Sequence, residues 1–410
     1  MSLFRIIVRK IYREVPWNWV PRVLSLNHLR VLQLSTESSL SDSNPISNLP
    51  PSSVVRASWS DGSLTNHEEG NPARVLAFRE VTDCILSANS RGGYLVKGQT
   101  LATPDTGFDF RPKLYYANTD VAGIYDQKQS DALVKLRIAS HQIEQGVFVG
   151  SMAPHNWFHW LIDTLPTVYF SRYLPKDYDH YPLLLPERGL AKQHWIESLE
   201  IVRGSRTVVP VSSEFHYRVS NLVRLESITR PAPRAYRVKV PARISLYAEY
   251  LAEYRDFILG HYKLTKVAPQ PGKRTFIGRK PSAVRNYNQD EITEVLGRLG
   301  FDLLFIEDLT LRDSIKVFRE SEIVVGPHGA GWANMLFCSP LTKVVMWTWP
   351  DEVEENWYEN IAYISGVQFR QVHTPRNESD SHSSFDPRTA SYKLDPELLL
   401  SAINQLVEAK

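Results

Sequence analysis

Apolar and polar positions follow two different periods along this chain, and the change of period divides it. From Val54 to about Phe148, apolar residues come in short runs broken by turn residues. Runs at 74–78, 84–88, 94–97 and 146–150, with Arg91-Gly92-Gly93 as one separator, predict short strands and a β-rich lead-in. Beyond it, short apolar runs alternate with longer stretches at helical spacing. Strands at 181–185, 207–211 and 222–225 accompany a helix near 190–199. A proline-bearing connection at 228–233 leads to a long helix over 242–259. Strands at 274–278, 301–306, 322–325, 343–347 and 368–373 then alternate with helices at 289–299, 311–319, 332 onward, 354–364 and 396–408. Asn288 stands where a helix cap belongs, Gly300 where a helix ends, and Thr310 with Asp313 makes a near capping box. Strand–helix alternation predicts parallel, doubly wound sheets, so the fold class is α/β.

At 410 residues the chain is long for one core, and two domains are expected. The boundaries read as 1–53 for an amphipathic helix and a Ser/Asn/Pro-rich loop, and 54–235 for an N-terminal domain with its β-rich lead-in. A linker helix follows at 236–271 and a C-terminal domain at 272–410. Hydrophobic content of 43% and a formal net charge of +2 describe a globular protein whose bulk charge gives a nucleic-acid partner no support. Cys84 and Cys338 cannot build a disulfide framework or a zinc site. No run of about 18 apolar residues is present, and the start of the chain lacks the apolar core of a signal peptide. That start does place Phe4, Ile7, Val8, Ile11 and Tyr12 on one helical face, with Arg5, Arg9, Lys10 and Arg13 on others. Such a helix, residues 3–13, can dock on its own protein or rest on an anionic membrane surface.

Three stretches carry candidate chemistry. The first, 154–174, is dense in aromatics yet holds His155, Asn156, His159 and Asp163, which fall on one face if the whole stretch is helical. Pro166 should restart or bend that helix. His155 and His159 have the spacing of a metal-binding helix, but Asn156 stands where a zinc protease has Glu. A structural network and an acid/base site in an interdomain cleft are the other readings, the latter favoured by residue type. The second stretch, 279–285, offers Arg279 and Arg285 after a strand. The third, Gly326-Pro327-His328-Gly329-Ala330-Gly331, joins a strand to a helix start and leads to Asn334. A glycine loop lets a ligand approach the backbone, and a helix N-terminus presents amides to a phosphate. Both loops fall at carboxyl ends of strands, where open α/β sheets bind ligands. Arginines plus amides describe a diphosphate site that needs no metal. The dinucleotide Gly-x-Gly-x-x-Gly and the P-loop Gly-Lys-Ser/Thr are absent. Asp177-Tyr178-Asp179 has the form of a metal–sugar-diphosphate motif, but it precedes a strand and reads as a solvated loop.

Taken together, 155–166, 279–291 and 326–334 resemble glycosyltransferase family 61, the most specific part being GPHGAGWAN. The resemblance spans a little under half the chain. Two positions depart from the family pattern: Val284 and Asn286 flank Arg285 where a second basic residue is common, and Gln289 stands where Glu often follows Asn288. The resemblance implies a GT-B-like pair of Rossmann-like domains facing a cleft, with the donor in the C-terminal one. It implies an inverting transfer from a nucleotide-sugar, commonly a UDP-sugar, to a hydroxyl of a glycan or lipid-linked glycan acceptor in polysaccharide biosynthesis, with no cofactor and no metal. Arg279, Arg285, Asn288, Gly326, His328, Gly329, Ala330, Gly331 and Asn334 are then the nucleotide-sugar-binding set, Asn334 more as a brace than a contact. His155 and Asn156 lie on the acceptor side, and Asp163 or His159 is the base. A cytoplasmic enzyme, peripheral at the inner membrane face if the N-terminal helix binds lipid, is the matching location. A non-catalytic saccharide-binding or assembly protein on the same fold, and a nucleotide-sugar hydrolase, are the rival readings.

Overall fold

The computed structural model describes residues 29–36, 45–60, 62–88, 93–103, 121–125, 131–135, 139–150, 153–226, 228–231, 244–282, 285–348, 356–374 and 391–408. The N-terminal amphipathic stretch, 3–13, lies outside them. The chain is mixed α/β and divides into two compact units, 1–50 with 75–234 and 51–74 with 235–410.

The N-terminal unit is built on one large mixed sheet. Its parallel part runs Val208–Val211, Leu183–Pro186, His141–Phe148, His216–Leu225 in space. In chain order that is 3-2-1-4, so the direction of winding reverses between His141–Phe148 and His216–Leu225. Ala77–Ser87 extends the sheet antiparallel to His216–Leu225, followed by Tyr94–Lys97 and Thr100–Thr103. Ala77–Ser87 is one strand of 11 residues, where the apolar pattern predicts two. Arg79, Glu80, Thr82 and Asp83 break the alternation, Asp83 with φ 46°, yet pairing carries through from Ser87 to Phe78. Phe148, Leu184, Val219, Leu222 and Leu86 form a buried core against this sheet.

The C-terminal unit holds a five-stranded, all-parallel sheet: Phe301–Leu304, Gln270–Ile277, Ser321–Pro327, Lys343–Thr348, Gln368–His373. In chain order this is 2-1-3-4-5, with the reversal between Gln270–Ile277 and Ser321–Pro327. Ile323, Val324 and Val325 are all buried, as are Val344 to Trp347. These unbroken apolar runs are what a parallel strand covered on both faces requires. Phe276, Val325, Val345 and Trp347 pack with Ile292, Leu296, Leu399 and Ile403 of the flanking helices.

Two expectations about boundaries are corrected. Residues 54–74 belong to the C-terminal unit, and 244–261 is part of that unit's body instead of a free linker: a strand, Ile244–Tyr247, precedes the helix Ala248–His261. The reason is a buried amide knot. Asn356 Nδ2 donates to Ala57 O at 2.8 Å and Ile244 O at 3.0 Å, and its Oδ1 accepts from Ile244 N at 2.7 Å. Asn360 Oδ1 accepts from Ala57 N at 2.6 Å, and its Nδ2 donates to Ile244 O at 2.9 Å. Glu249 adds a clamp, accepting from the Ser52 hydroxyl at 2.8 Å and from the hydroxyl and amide of Ser53.

Candidate functional site

In the N-terminal unit the loop after strand His141–Phe148 leads into the helical stretch Trp157–Phe170, at the point where the sheet's winding reverses. That is where an open α/β sheet presents its ligands. The helix begins later than the one-face reading supposes. Asn156 is its cap, its Oδ1 accepting from Phe158 N at 2.9 Å, and exposed His155 precedes it. These two residues therefore lie ahead of the first turn, and Asn156 acts on backbone. Residues Trp160–Thr164 then form a π-helical turn, Leu165 N–H bonding back to Trp160 O. Pro166 explains the widening: it has no N–H for the Ile162 carbonyl, and its ring would collide with that carbonyl in a regular α-helix. The bend expected at Pro166 is thus a bulge one turn upstream.

The bulge carries Asp163, and His159 stands at its N-cap. His159 Nδ1 lies 2.6 Å from Asp163 Oδ2. A carboxylate only accepts, so Nδ1 bears the hydrogen and Nε2 is the basic nitrogen of the neutral ring. Asp163 is 4% exposed, and its Oδ1 is buried without a hydrogen-bond partner among the described residues. A half-satisfied buried carboxylate costs stability, a cost that functional sites commonly carry. His159 is thereby held by Asp163. Among the described residues no three of His, Cys, Asp and Glu gather closely enough to hold a metal ion. Behind the pair, Trp160 is fully buried, stacked on Trp195 at 5.3 Å and donating its Nε1 to Ser198 Oγ at 2.9 Å. Gly189 presses on that ring: a Cβ there would stand 2.7 Å from Trp160 Cζ3.

The Asp177-Tyr178-Asp179 stretch forms a 3-10 turn ahead of strand Leu183–Pro186. Arg206 ties it down through the carbonyls of Tyr178 and Tyr181 and a 3.7 Å ion pair to exposed Asp179. It is a surface loop with a structural anchor.

In the C-terminal unit the two predicted loops flank the winding reversal, one after Gln270–Ile277 and one after Ser321–Pro327. Gly326 lets the two strands close on each other: a Cβ there would meet Ile277 O at 2.7 Å. Three successive carbonyls of the glycine loop are each engaged by a side chain. Trp332 Nε1 donates to Pro327 O at 2.8 Å, Arg279 Nη2 to His328 O at 2.7 Å, and Tyr358 OH to Gly329 O at 2.8 Å. The helix that follows is a 3-10 helix, Ala330–Phe337, where an α-helix from Trp332 is predicted. No side chain caps it, so its leading amides have no intrahelical acceptor. With the carbonyls turned to side chains and the amides uncapped, the loop offers donors to a ligand.

Arg279, Arg285 and His328 gather there. Burial first, then the charges of Arg285 and Arg279, push the His328 ring down to about 3, so it is neutral at physiological pH. Its ring packs edge-on against Tyr358 at 4.8 Å. Arg285 has φ 59°, a left-handed conformation rare for a side-chain-bearing residue and found preferentially at functional positions. Gln289, at a departure from the family pattern, accepts from Arg279 N at 2.7 Å and from Tyr287 OH at 2.8 Å. It anchors the arginine loop.

One residue of the expected nucleotide set, Asn288, is engaged by backbone elsewhere, and Asn334 takes the bracing role expected of it. Asn288 pairs with the backbone of Leu394, giving Nδ2 to its carbonyl at 3.0 Å and accepting its amide at 2.8 Å; it makes no side-chain cap to the helix it precedes. Asn334 is fully buried and braces Gly331 O at 2.9 Å. Tyr358 and Trp332 were missed as loop supports. Tyr358 lies 29 positions from its acceptor, and no local pattern marks it.

Residues 157–345 match the model of the family described as Glycosyltransferase 61. The stretch includes the His159–Asp163 pair, both arginines and the glycine loop, and leaves His155 and Asn156 just outside. An EGF domain-specific O-linked N-acetylglucosamine transferase of Drosophila melanogaster is 26% identical over 121 residues, 28% of this chain and 23% of that protein. The aligned part is thus under a quarter of the relative's length. Through residues 157–345, the chain is similar to glycosyltransferase family 61.

Proposed function

We propose that the protein transfers a sugar from a nucleotide-sugar, a UDP-sugar in the simplest case, to an acceptor hydroxyl in glycan synthesis, inverting the anomeric carbon and using no metal. The observation that carries this reading is the convergence of Arg279, Arg285 and an uncapped glycine-loop helix at the winding reversal of a parallel sheet. Two guanidinium groups and a row of amides suit two adjacent phosphates. In the proposed step the acceptor oxygen attacks the anomeric carbon as the carbon–oxygen bond to the diphosphate breaks, the bonding pair leaving with the phosphate. The arginines and amides stabilise the charge that develops there. His159 Nε2 takes the acceptor proton, and Asp163, bonded to Nδ1, holds the ring in the required tautomer and steadies the imidazolium. On this reading two residues that look interchangeable in sequence take different roles, His159 the base and Asp163 its orienting partner. Neutral His328 donates one hydrogen to a phosphate oxygen.

The test is acceptor-dependent release of nucleoside diphosphate from a panel of nucleotide-sugars, with and without EDTA. Release that needs an acceptor and survives EDTA fits the reading. Release that ignores the acceptor identifies a hydrolase, no release from any donor identifies a binding protein, and EDTA-sensitive transfer removes the metal-free part.

A further inference from the structure

A second loop of the N-terminal unit reaches the same sheet edge as the His159–Asp163 pair. It follows strand Leu183–Pro186 and carries Arg188, and a Cβ added at Gly189 would stand 3.2 Å from Pro154 O, in the turn that precedes His155. Arg188 is exposed and forms no hydrogen bond or ion pair among the described residues. The helix Gln193–Val202 starts beside it. Lys192 Nζ stands 5.1 Å over the Trp195 ring, with no carboxylate partner among the described residues. Beside it lies an aromatic shelf: the half-buried Trp157 ring is 5.7 Å from His194 and 5.7 Å from Trp195.

The local field is positive. His155 is pushed below its ordinary value by burial, then by Arg188 and His159; His194 by burial and Lys192, with Glu197 offsetting in part. Both rings are therefore neutral donors and acceptors, and the standing charge belongs to Arg188 and Lys192. A flat aromatic face suits the apolar side of a sugar ring, and an unpaired guanidinium suits a carboxylate or phosphate.

We propose that Trp157, His194, Arg188 and Lys192 form an acceptor subsite for a saccharide bearing an anionic group, carboxylate or phosphate. The proposal rests on the glycosyl-transfer reading and deepens it. Trp157 opens the helix that carries His159, and the charge of Arg188 is felt at His155 in the turn before it.

Titration calorimetry on the full chain at low ionic strength tests it, with trigalacturonic acid, neutral galactotriose and inorganic pyrophosphate as probes and UDP titrated separately. The acidic trisaccharide should bind more tightly than the neutral one. R188A should lose about fivefold of that affinity, the range of a partly exposed ion pair, and R188K should keep most of it. W157A should weaken both trisaccharides about tenfold and leave pyrophosphate unchanged. Tight pyrophosphate with weak trigalacturonate, still sensitive to R188A, supports a phosphate-bearing acceptor. Equal affinity for acidic and neutral sugars, or full affinity in R188A, overturns the proposal. Failure of the donor reading is distinguishable, because it appears as absent UDP binding whatever the saccharides do.

Discussion

The two winding reversals of this molecule are furnished in opposite ways. In the C-terminal unit the candidate chemistry is made by backbone: a glycine loop whose carbonyls at 327, 328 and 329 are each engaged by a side chain and whose following helix has no side-chain cap. In the N-terminal unit it is made by side chains, on a helix widened by one π turn so that a buried carboxylate can hold an imidazole. The first arrangement suits a polyanion held against backbone. The second concentrates function in two or three replaceable groups. Mutations should therefore act differently on the two sides.

The largest effect belongs to the side-chain site. His159→Ala should lower the transfer rate by roughly 10²- to 10⁴-fold, the usual contribution of a placed base, while UDP affinity stays at its original value. Asp163→Asn should lower the rate too. Near-normal turnover in both would end the comparison, since no base would be left there. On the backbone side, Arg285→Ala should weaken UDP about 10- to 100-fold, as expected for a charge-assisted contact worth about 1.5–3 kcal/mol. Unchanged UDP affinity in calorimetry would take Arg285 out of the donor site. Gly326→Ala probes the loop's shape alone. With a Cβ forced to 2.7 Å from Ile277 O, it should cost about 1–3 kcal/mol, read as a lowered urea midpoint. A neutral stability change would mean that the strands can part.

The last probe is a pH dependence. The folded His328 titrates near 3, below its ordinary 6.5. Its contribution is present in full above 6.5 and is lost as pH falls from there toward 3, because only the unfolded chain takes up the proton. The urea midpoint should drop across that window, and less steeply in His328→Gln. Identical slopes would show that the ring is not held neutral by the fold.

Much of the donor side was legible in the sequence because its logic is local. Gly326 to Gly331 announces a close backbone approach, and the strand–loop–helix order sets which sheet edge it faces. What was not legible is what holds that loop. Tyr358 and Trp332 reach it through tertiary packing, and Asn288, at a helix-cap position, was drawn off by the backbone of Leu394. The His159–Asp163 pair was visible as an i, i+4 spacing, but the roles were not. Those depend on which oxygen is buried and which ring nitrogen is engaged, and both follow from a π bulge that only the position of Pro166 hinted at. The domain boundary at 54 failed for a plainer reason. Nothing near Ala57 indicates that its amide bonds to Asn360, 303 residues away.

That bond has a consequence for how the protein is made. Residues 51–74 leave the ribosome early, yet their partners at 356 and 360 leave near the end, after the whole N-terminal unit has been synthesised. Domains generally fold in order as they emerge, but here the two units interleave along the chain. The N-terminal unit can form while the excursion at 51–74 waits, unpaired, for the last quarter of the chain. Chains cut short before Asn360 should retain a folded N-terminal unit and expose the hairpin Ala57–Asn66 to proteases, and a fragment beginning at Val75 should fail to complete the C-terminal unit at all.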